Sequence, residues 1–284
     1  MFDTAMLVLL YNKEINQSST ISSIVDSSVR YTNAKIVIWN NGPKPLKERN
    51  ISSLSALGYQ VKIMETLHNE SLAVIYNQFI SETNATRYIL LDDDSRLNDD
   101  YISSSLLNDQ FSVSMPVITA RDKIEFPKVN TIPYSSTCRI TTTSKVTTIG
   151  SGLVIGSKIG EQLKLAYGNI FDERFYLYGV DTTFCLRLFA QKLTDKIKII
   201  RGFRHSLSRL EQESPEKVEF RKLERSYDYG LTLRYYYPRS QAISILVPAA
   251  ISMTKRYILK QSSDFKLLPL LKSFIVGKHY RKKG

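Results

Sequence analysis

The sequence predicts an α/β protein organised around a parallel sheet, and three observations carry that reading. Four apolar stretches, at residues 5–11, 35–39, 61–64 and 88–91, begin roughly 26 to 30 residues apart, close to the length of one strand–helix–strand unit. The segments between them have helical periodicity. The fourth stretch runs straight into Asp92, Asp93 and Asp94, three carboxylates where a buried strand ends. Alternating strands and helices favour a parallel sheet whose ligand site lies at the strands' carboxyl ends, which is where the acidic triplet falls.

Each intervening element has its own signature. Ile21, Ile24, Val25 and Val29 share one helical face after Thr20, a candidate cap. Leu46, Leu54 and Leu57 lie between Pro45, suited to a first helical position, and Gly58, suited to the position just past the end. Leu72, Ile75, Tyr76 and Phe79 form an i, i+3, i+4, i+7 stripe. Residues 95–148 loosen into mixed strand and loop rich in Ser and Thr. Gly150-Ser151-Gly152 reads as a turn entering a strand at Leu153-Val154-Ile155. Residues 171–191 begin as a loop and become a helix over about 181–190, and 196–200 is a short strand leading into 201–205. Beyond Ser214 the chain turns helical and basic, with Phe220, Leu223, Tyr227, Leu231 and Tyr235 at helical spacing.

A chain of 284 residues suffices for one large α/β domain with an appendage, or for two domains. Its 43% hydrophobic and 23% charged content suits a globular protein with a real core. Lys and Arg outnumber Asp and Glu by 39 to 27, a balance that suits a polyanionic neighbour. The excess concentrates in the tail, where Lys255, Arg256, Lys260, Lys266, Lys272, Lys278, Arg281, Lys282 and Lys283 are opposed by Asp264 alone. Two cysteines, Cys138 and Cys185, give no disulfide framework and suit a reducing compartment. The first residues lack the basic segment of a secretory signal. The apolar stretch 242–253, interrupted by Ser244 and Pro248, falls short of the roughly 20 residues of a membrane span. These features predict a cytoplasmic protein, peripheral at the inner face of the membrane. Nucleic acid is disfavoured, because the basic residues are not interleaved with aromatics on an identifiable binding fold.

Asp92 and Asp94 are two apart and share a face on an extended chain. Crowded carboxylates repel unless a cation neutralises them, and Mg²⁺ or Mn²⁺ prefers such oxygen ligands. A solvated loop capping the next helix is the plainer alternative. Gly150-Ser151-Gly152 does not extend to a dinucleotide fingerprint, since Gly156 is one position too far, and no Walker A loop exists.

Around the triplet the chain resembles the inverting family-2 glycosyltransferases of GT-A fold, bacterial rhamnosyl- and galactofuranosyl-transferase-like members in particular, from about Leu7 to His205. Val8-Leu9-Leu10-Tyr11-Asn12 is similar to the family's opening strand and nucleotide-side loop. Ile36-Val37-Ile38-Trp39-Asn40-Asn41-Gly42 is similar to its second strand and turn. Asn69 through Asn77 resembles the Asn-led helix beside the donor, Leu91 to Asp94 the Asp-x-Asp site, and Phe171-Asp172-Glu173-Arg174-Phe175 through Asp181 to Arg187 the segment with the catalytic base. Two positions depart from the pattern, Asn40 where the family has Asp and Ser71 where it favours Gly.

The resemblance implies a Rossmann-like mixed sheet flanked by helices, with a C-terminal basic helical tail. It implies a catalytic domain over 1–212, split into a nucleotide-sugar half at about 1–98 and an acceptor half at about 99–212, and a possibly membrane-associating region over 213–284. It gives metal binding (Mg²⁺ or Mn²⁺) to Asp94 and His205, donor contacts to Tyr11, Asn40, Asn69, Asn77, Asp92 and Asp93, and the general base to Asp181. Asn69 could equally be a simple helix cap, Asp181 the cap of the helix it opens, and His205, among Arg201, Arg204 and Arg209, an ordinary packing residue. His68 and His279 are read as surface or packing residues. The implied reaction moves a sugar from a nucleotide-sugar donor, dTDP-rhamnose, UDP-galactofuranose or another UDP-hexose, to a hydroxyl of a bacterial surface polysaccharide or lipid-linked glycan acceptor, beside an anionic membrane surface. The alternatives are a Mg²⁺-dependent phosphohydrolase, disfavoured because its acidic pair would follow the first strand, and a non-catalytic basic module that docks on membranes.

Overall fold

In a computed structural model, residues 1–120, 123–205 and 214–282 are described. They form two compact units. The first holds the described residues up to 70, those from 74 to 170 and those from 184 to 205. The second holds 71–73, 171–183 and the described residues after 213.

The first unit is built on a seven-stranded sheet. Strands β1 (Phe2–Leu10), β2 (Ala34–Asn40), β3 (Gln60–Glu65) and β4 (Ala85–Asp92) are parallel and correspond to the four apolar stretches, in the spatial order β4-β1-β2-β3. β1 is buried continuously from Thr4 to Leu10, as an apolar strand covered on both faces must be. The sheet is mixed rather than wholly parallel. Leu153–Gly156, entered from the predicted turn, runs antiparallel to β4 and to Val113–Pro116, and Ile197–Ile200 pairs parallel with Val113–Pro116 at the other edge.

Helix α1 spans Ser19–Asp26, α2 Ser52–Ala56 and α3 Leu72–Glu82. The cap of α1 is Ser18, whose hydroxyl accepts from the Ile21 N–H, not Thr20. Thr20 lies inside the helix and donates its hydroxyl to the Asp92 carbonyl at 2.5 Å, tying α1 to the end of β4. The Pro45–Gly58 helix shrinks to five residues. Glu65 and Glu14 accept the backbone N–H groups of Leu46 and Lys47, which holds that stretch in a loop instead. Gly58 does sit just past the helix end, at φ +85°. Two helices gave no sequence signal: α4 (Asp99–Leu106), capped by Asn98 and rich in Ser and Asp, and α5 (Ser157–Tyr167). Helix α6 spans Gly179–Ala190.

The second unit contains the first turn of α6 and three long helices, α7 (Pro215–Tyr236), α8 (Arg239–Ile258) and α9 (Leu267–Val276). Leu233, Ala242, Leu246 and Leu270 form its apolar centre. Pro248 does not interrupt α8, which runs through it. Among the described residues, no helix is long and apolar enough to cross a membrane.

The same unit also buries titratable groups. Glu224 and Asp228, one turn apart on α7, and His279 are each 2% exposed or less. Burial, with Glu224 adding like charge, pushes the Asp228 carboxyl up to about 7, although the N–H groups of Gly179 and Tyr178 work against the rise. The folded chain therefore holds this proton more tightly than the unfolded chain. The stabilisation is complete below the ordinary carboxyl range and is lost as pH rises toward 7. Asp228→Asn cannot lose that proton. Thermal unfolding is expected to show the variant gaining on the unaltered protein by several degrees between pH 5 and pH 8, from a pH-dependent contribution of about 3 kcal/mol over that window.

Candidate active site

Two local devices bring the site together in the first unit. β4 ends at Asp92, so Asp94 follows two residues beyond the sheet's carboxyl edge. The short strand Phe203–Arg204 pairs antiparallel with Arg96–Leu97, Arg204 facing Arg96. Continuing that register sets His205 opposite Ser95, next to Asp94 in the chain. Asp92, Asp94 and His205 each offer a ligand atom within 4.8 Å of the others. His205 Nδ1 lies 3.2 Å from Asp94 Oδ1 and Nε2 3.8 Å from Asp92 Oδ2.

Three carboxylates, an imidazole and the Lys13 ammonium set the electrostatics of this edge. Burial and the like charges of Asp94 and Asp93, against the pull of His205, push the Asp92 carboxyl up to about 6. At Asp94 burial also raises the pKa, but His205 and Lys13 outweigh it and hold the group below its usual range. The His205 ring is raised: burial opposes the charged form, and the three carboxylates outweigh it. Asp94 Oδ1 is buried without a well-formed hydrogen bond. Two carboxylates and an imidazole whose ligand atoms lie within 4.8 Å of one another fit a hard divalent cation such as Mn²⁺ or Mg²⁺. Ser95 and Ser151 orient the set. Ser95 Oγ is 3.0 Å from His205 Nδ1 and 2.9 Å from Ser151 Oγ, and Ser151 Oγ accepts the Asp92 N–H at 2.9 Å. Neither serine is singled out in sequence, where Ser151 reads as the middle of a small-residue turn.

Asp93 stands apart from its neighbours. Its carboxylate takes Lys13 Nζ at 2.5 Å and the Tyr11 N–H at 3.1 Å. Its carbonyl accepts the Ser18 hydroxyl at 3.0 Å. The middle residue of the triplet thus fastens the loop after β1 to the end of β4. Tyr11 and Asn40 lie on the same sheet edge, because Leu10 pairs with Asn40 and Leu9 with Asp92. The Tyr11 side chain is exposed. Asn40 is buried, and its amide donates to the Lys44 carbonyl and to Glu65 while its oxygen accepts the Gly42 N–H, so it holds the loop after β2.

Asn69 does not occupy the cap position of α3, which opens at Leu72. It sits in the left-handed region at φ 54°, its side-chain oxygen 3.4 Å from Asn41 Nδ2. Asn77 is half-buried on α3. Asp181 is half-buried in the first turn of α6, its third residue rather than the residue before it, because the helix begins at Gly179. It belongs to the second unit, in which Ser71 donates its hydroxyl to the Phe175 carbonyl at 2.7 Å. Arg201 and Arg204 are exposed, and Arg209 lies outside the described residues.

No protein-family model and no curated protein matches the chain. Solved structures do. TarS of S. aureus superposes with a TM-score of 0.52 at 12% identity, over 86% of this chain and 42% of TarS. Residues 1–349 of TarS in complex with UDP-GlcNAc give 0.50 at 11%, over 85% and 69%. GalNAc-T7 with UDP, GalNAc and Mn²⁺ gives 0.51 at 14%, over 81% and 50%. Both proteins are GT-A-type glycosyltransferases. The fold is GT-A. At these identities the likeness extends to the fold alone, and the chain spans less than half the length of the longer TarS structure.

Proposed function

We propose that the protein is an inverting glycosyltransferase that moves a sugar from a nucleoside-diphosphate donor to a hydroxyl. The observation that carries this reading is the convergence of Asp92, Asp94 and His205 at the carboxyl edge of a GT-A sheet. These residues would hold a divalent cation. Bound there, it would neutralise the diphosphate as it leaves, so that no strong acid is needed on the leaving group. Tyr11, Asn40, Asn69 and Asn77 would line the donor side. Asp181 would take the proton of the attacking hydroxyl as the sugar oxygen adds to the anomeric carbon.

The donors proposed are dTDP-rhamnose and UDP-hexoses, UDP-galactofuranose included. The UDP complexes of TarS and GalNAc-T7 favour the uridine series for testing first. The acceptor would be a bacterial surface polysaccharide or lipid-linked glycan. A thermal-shift panel of UDP, dTDP and their sugar conjugates, with and without Mn²⁺, tests the reading. Stabilisation that depends on both nucleotide and metal is expected, and no response to any member of the panel would overturn the assignment.

We also propose that the protein works at the cytoplasmic membrane face, with α8 resting on anionic lipid. Ile243, Val247, Ile251 and Ile258 lie along one side of α8 and are each half or more exposed. Residues 229–263 carry Arg234, Arg239, Lys255, Arg256 and Lys260 with no acidic residue. An apolar stripe edged by cations suits an anionic bilayer, each basic residue near the surface adding about 1 kcal/mol. The protein is expected to float with vesicles rich in phosphatidylglycerol at low salt and not with phosphatidylcholine vesicles, and Val247→Glu with Ile251→Glu is expected to remove the binding. A dimer in solution that the double variant dissociates, with no vesicle binding, would show that a second copy covers the stripe instead.

A further inference from the structure

Asp181 stands in the first turn of a helix whose opening is held by a residue from α7. Asp228 Oδ2 accepts the backbone N–H groups of Tyr178 at 2.8 Å and Gly179 at 2.9 Å. These belong to the start of α6, where N–H groups have no partner within the helix and a carboxylate is favoured. The ionised group makes charge-assisted bonds to these donors, and the neutral group still accepts both through Oδ2. Gly179 makes the approach possible. A Cβ placed there would lie 2.2 Å from the Phe175 ring and 3.1 Å from Asp228 Cβ.

Asp228 is itself braced from behind. His279 stacks on Tyr176, with ring centroids 4.5 Å apart, and Arg281 lies over the same ring. His279 Nδ1 accepts the Arg281 backbone N–H, so the neutral ring carries its proton on Nε2. That nitrogen sits between Asp228 Oδ1 at 3.8 Å and Glu224 Oε2 at 3.7 Å. Glu224 is fixed in turn by the Tyr280 hydroxyl at 2.5 Å and by Arg281 at 3.5 Å. The C-terminal segment 279–281 thus packs over Glu224 and Asp228 on α7, beside the residues that hold the α6 opening.

We propose that Asp228, backed by Glu224 and His279, is a positioning residue that fixes the first turn of α6 and thereby the carboxylate of Asp181. The inference rests on the glycosyltransferase reading, in which Asp181 is the base. It places a requirement of the reaction in the C-terminal helical region, far along the chain from the metal-binding residues. Misplacing a reacting group by about an ångström is enough to slow chemistry by one or two orders of magnitude.

The test compares Asp228→Ala and Asp228→Asn in the full chain. The substrate is the sugar nucleotide that gives the largest Mn²⁺-dependent thermal shift, and the readout is nucleotide release. Asp228→Ala is expected to lower kcat about tenfold or more, with KM for the donor and the Mn²⁺-dependent shift changed less than twofold. Asp228→Asn, which keeps an oxygen for the two N–H groups, is expected to recover most of that loss. Hydrogen exchange is expected to show residues 178–183 losing protection in the alanine variant while β1 and β4 keep theirs. If the alanine variant fails to fold, Gly179→Ala is read the same way, because its added methyl group presses the α6 opening off Asp228. Unchanged kcat, or unchanged protection of 178–183, would overturn the positioning role. Absence of turnover in the unaltered protein would instead remove the glycosyltransferase reading, and the positioning role with it.

Discussion

Asp94→Asn is expected to abolish metal-dependent nucleotide binding and to cut turnover by roughly two to three orders of magnitude, the scale on which one preorganised charge contact acts in a desolvated site. The amide is isosteric, but it is a poor ligand for a hard cation and leaves the site one negative charge short. The fold is expected to survive. In the absence of metal the native Asp94 faces Asp92 across a shared site, and that repulsion is part of what pushes the Asp92 carboxyl up to about 6. Removing it relieves Asp92 but also removes the charge that His205 and Lys13 favour, so the two effects oppose one another. Differential scanning fluorimetry without metal should place the variant within a few degrees of the unaltered chain. A collapse of the fold would mean that the carboxylate is structural, as Asp93 already is through Lys13 and Tyr11.

Asp181→Asn is expected to have an effect of comparable size by a different route. The variant keeps the shape of the α6 opening and leaves Asp92, Asp94 and His205 untouched, so metal-dependent nucleotide binding should stay within about twofold of normal. Without a proton acceptor the attacking hydroxyl remains neutral, and general-base loss typically costs roughly 10²- to 10⁴-fold. Initial rates of nucleotide release, set beside binding measured by isothermal titration, check the split. Intact turnover would place the base elsewhere, and loss of nucleotide binding would give Asp181 a donor-side role instead.

The parts of this protein legible in its sequence are those that local chemistry decides. β1 to β4 announce themselves as apolar runs; the structure leaves Tyr11 out of β1 and otherwise extends the runs by one to three residues at an end, into polar neighbours such as Asp3, Gln60 and Arg87, whose backbones join the ladder although their side chains do not look strand-like. Asp92 and Asp94 could be paired from the two-residue period of a strand alone. What escaped is what tertiary contacts decide. Glu14 and Glu65 reach across the fold to hold 46 and 47 out of a helix that Pro45 and Gly58 appeared to frame. α4 forms from Asp99, Asp100 and three serines, a composition with little helical preference, because Asn98 caps it and Tyr101 and Ile102 are buried beneath it. His205 reaches the acidic pair through a two-residue ladder, too short to read from the chain. His279, read as an ordinary side chain, is buried between two carboxylates that lie more than 50 residues upstream.

The proposed reaction requires a single divalent cation, which Asp92, Asp94 and His205 would hold. Electron paramagnetic resonance of Mn²⁺ titrated with protein measures that directly, because free aqueous Mn²⁺ gives a strong six-line signal that binding broadens away. The signal is predicted to fall with one ion bound per chain in the presence of UDP, and to stay at its free intensity with Asp94→Asn or His205→Ala. Equal loss of signal with the unaltered protein and both variants would place the ion elsewhere and contradict the account.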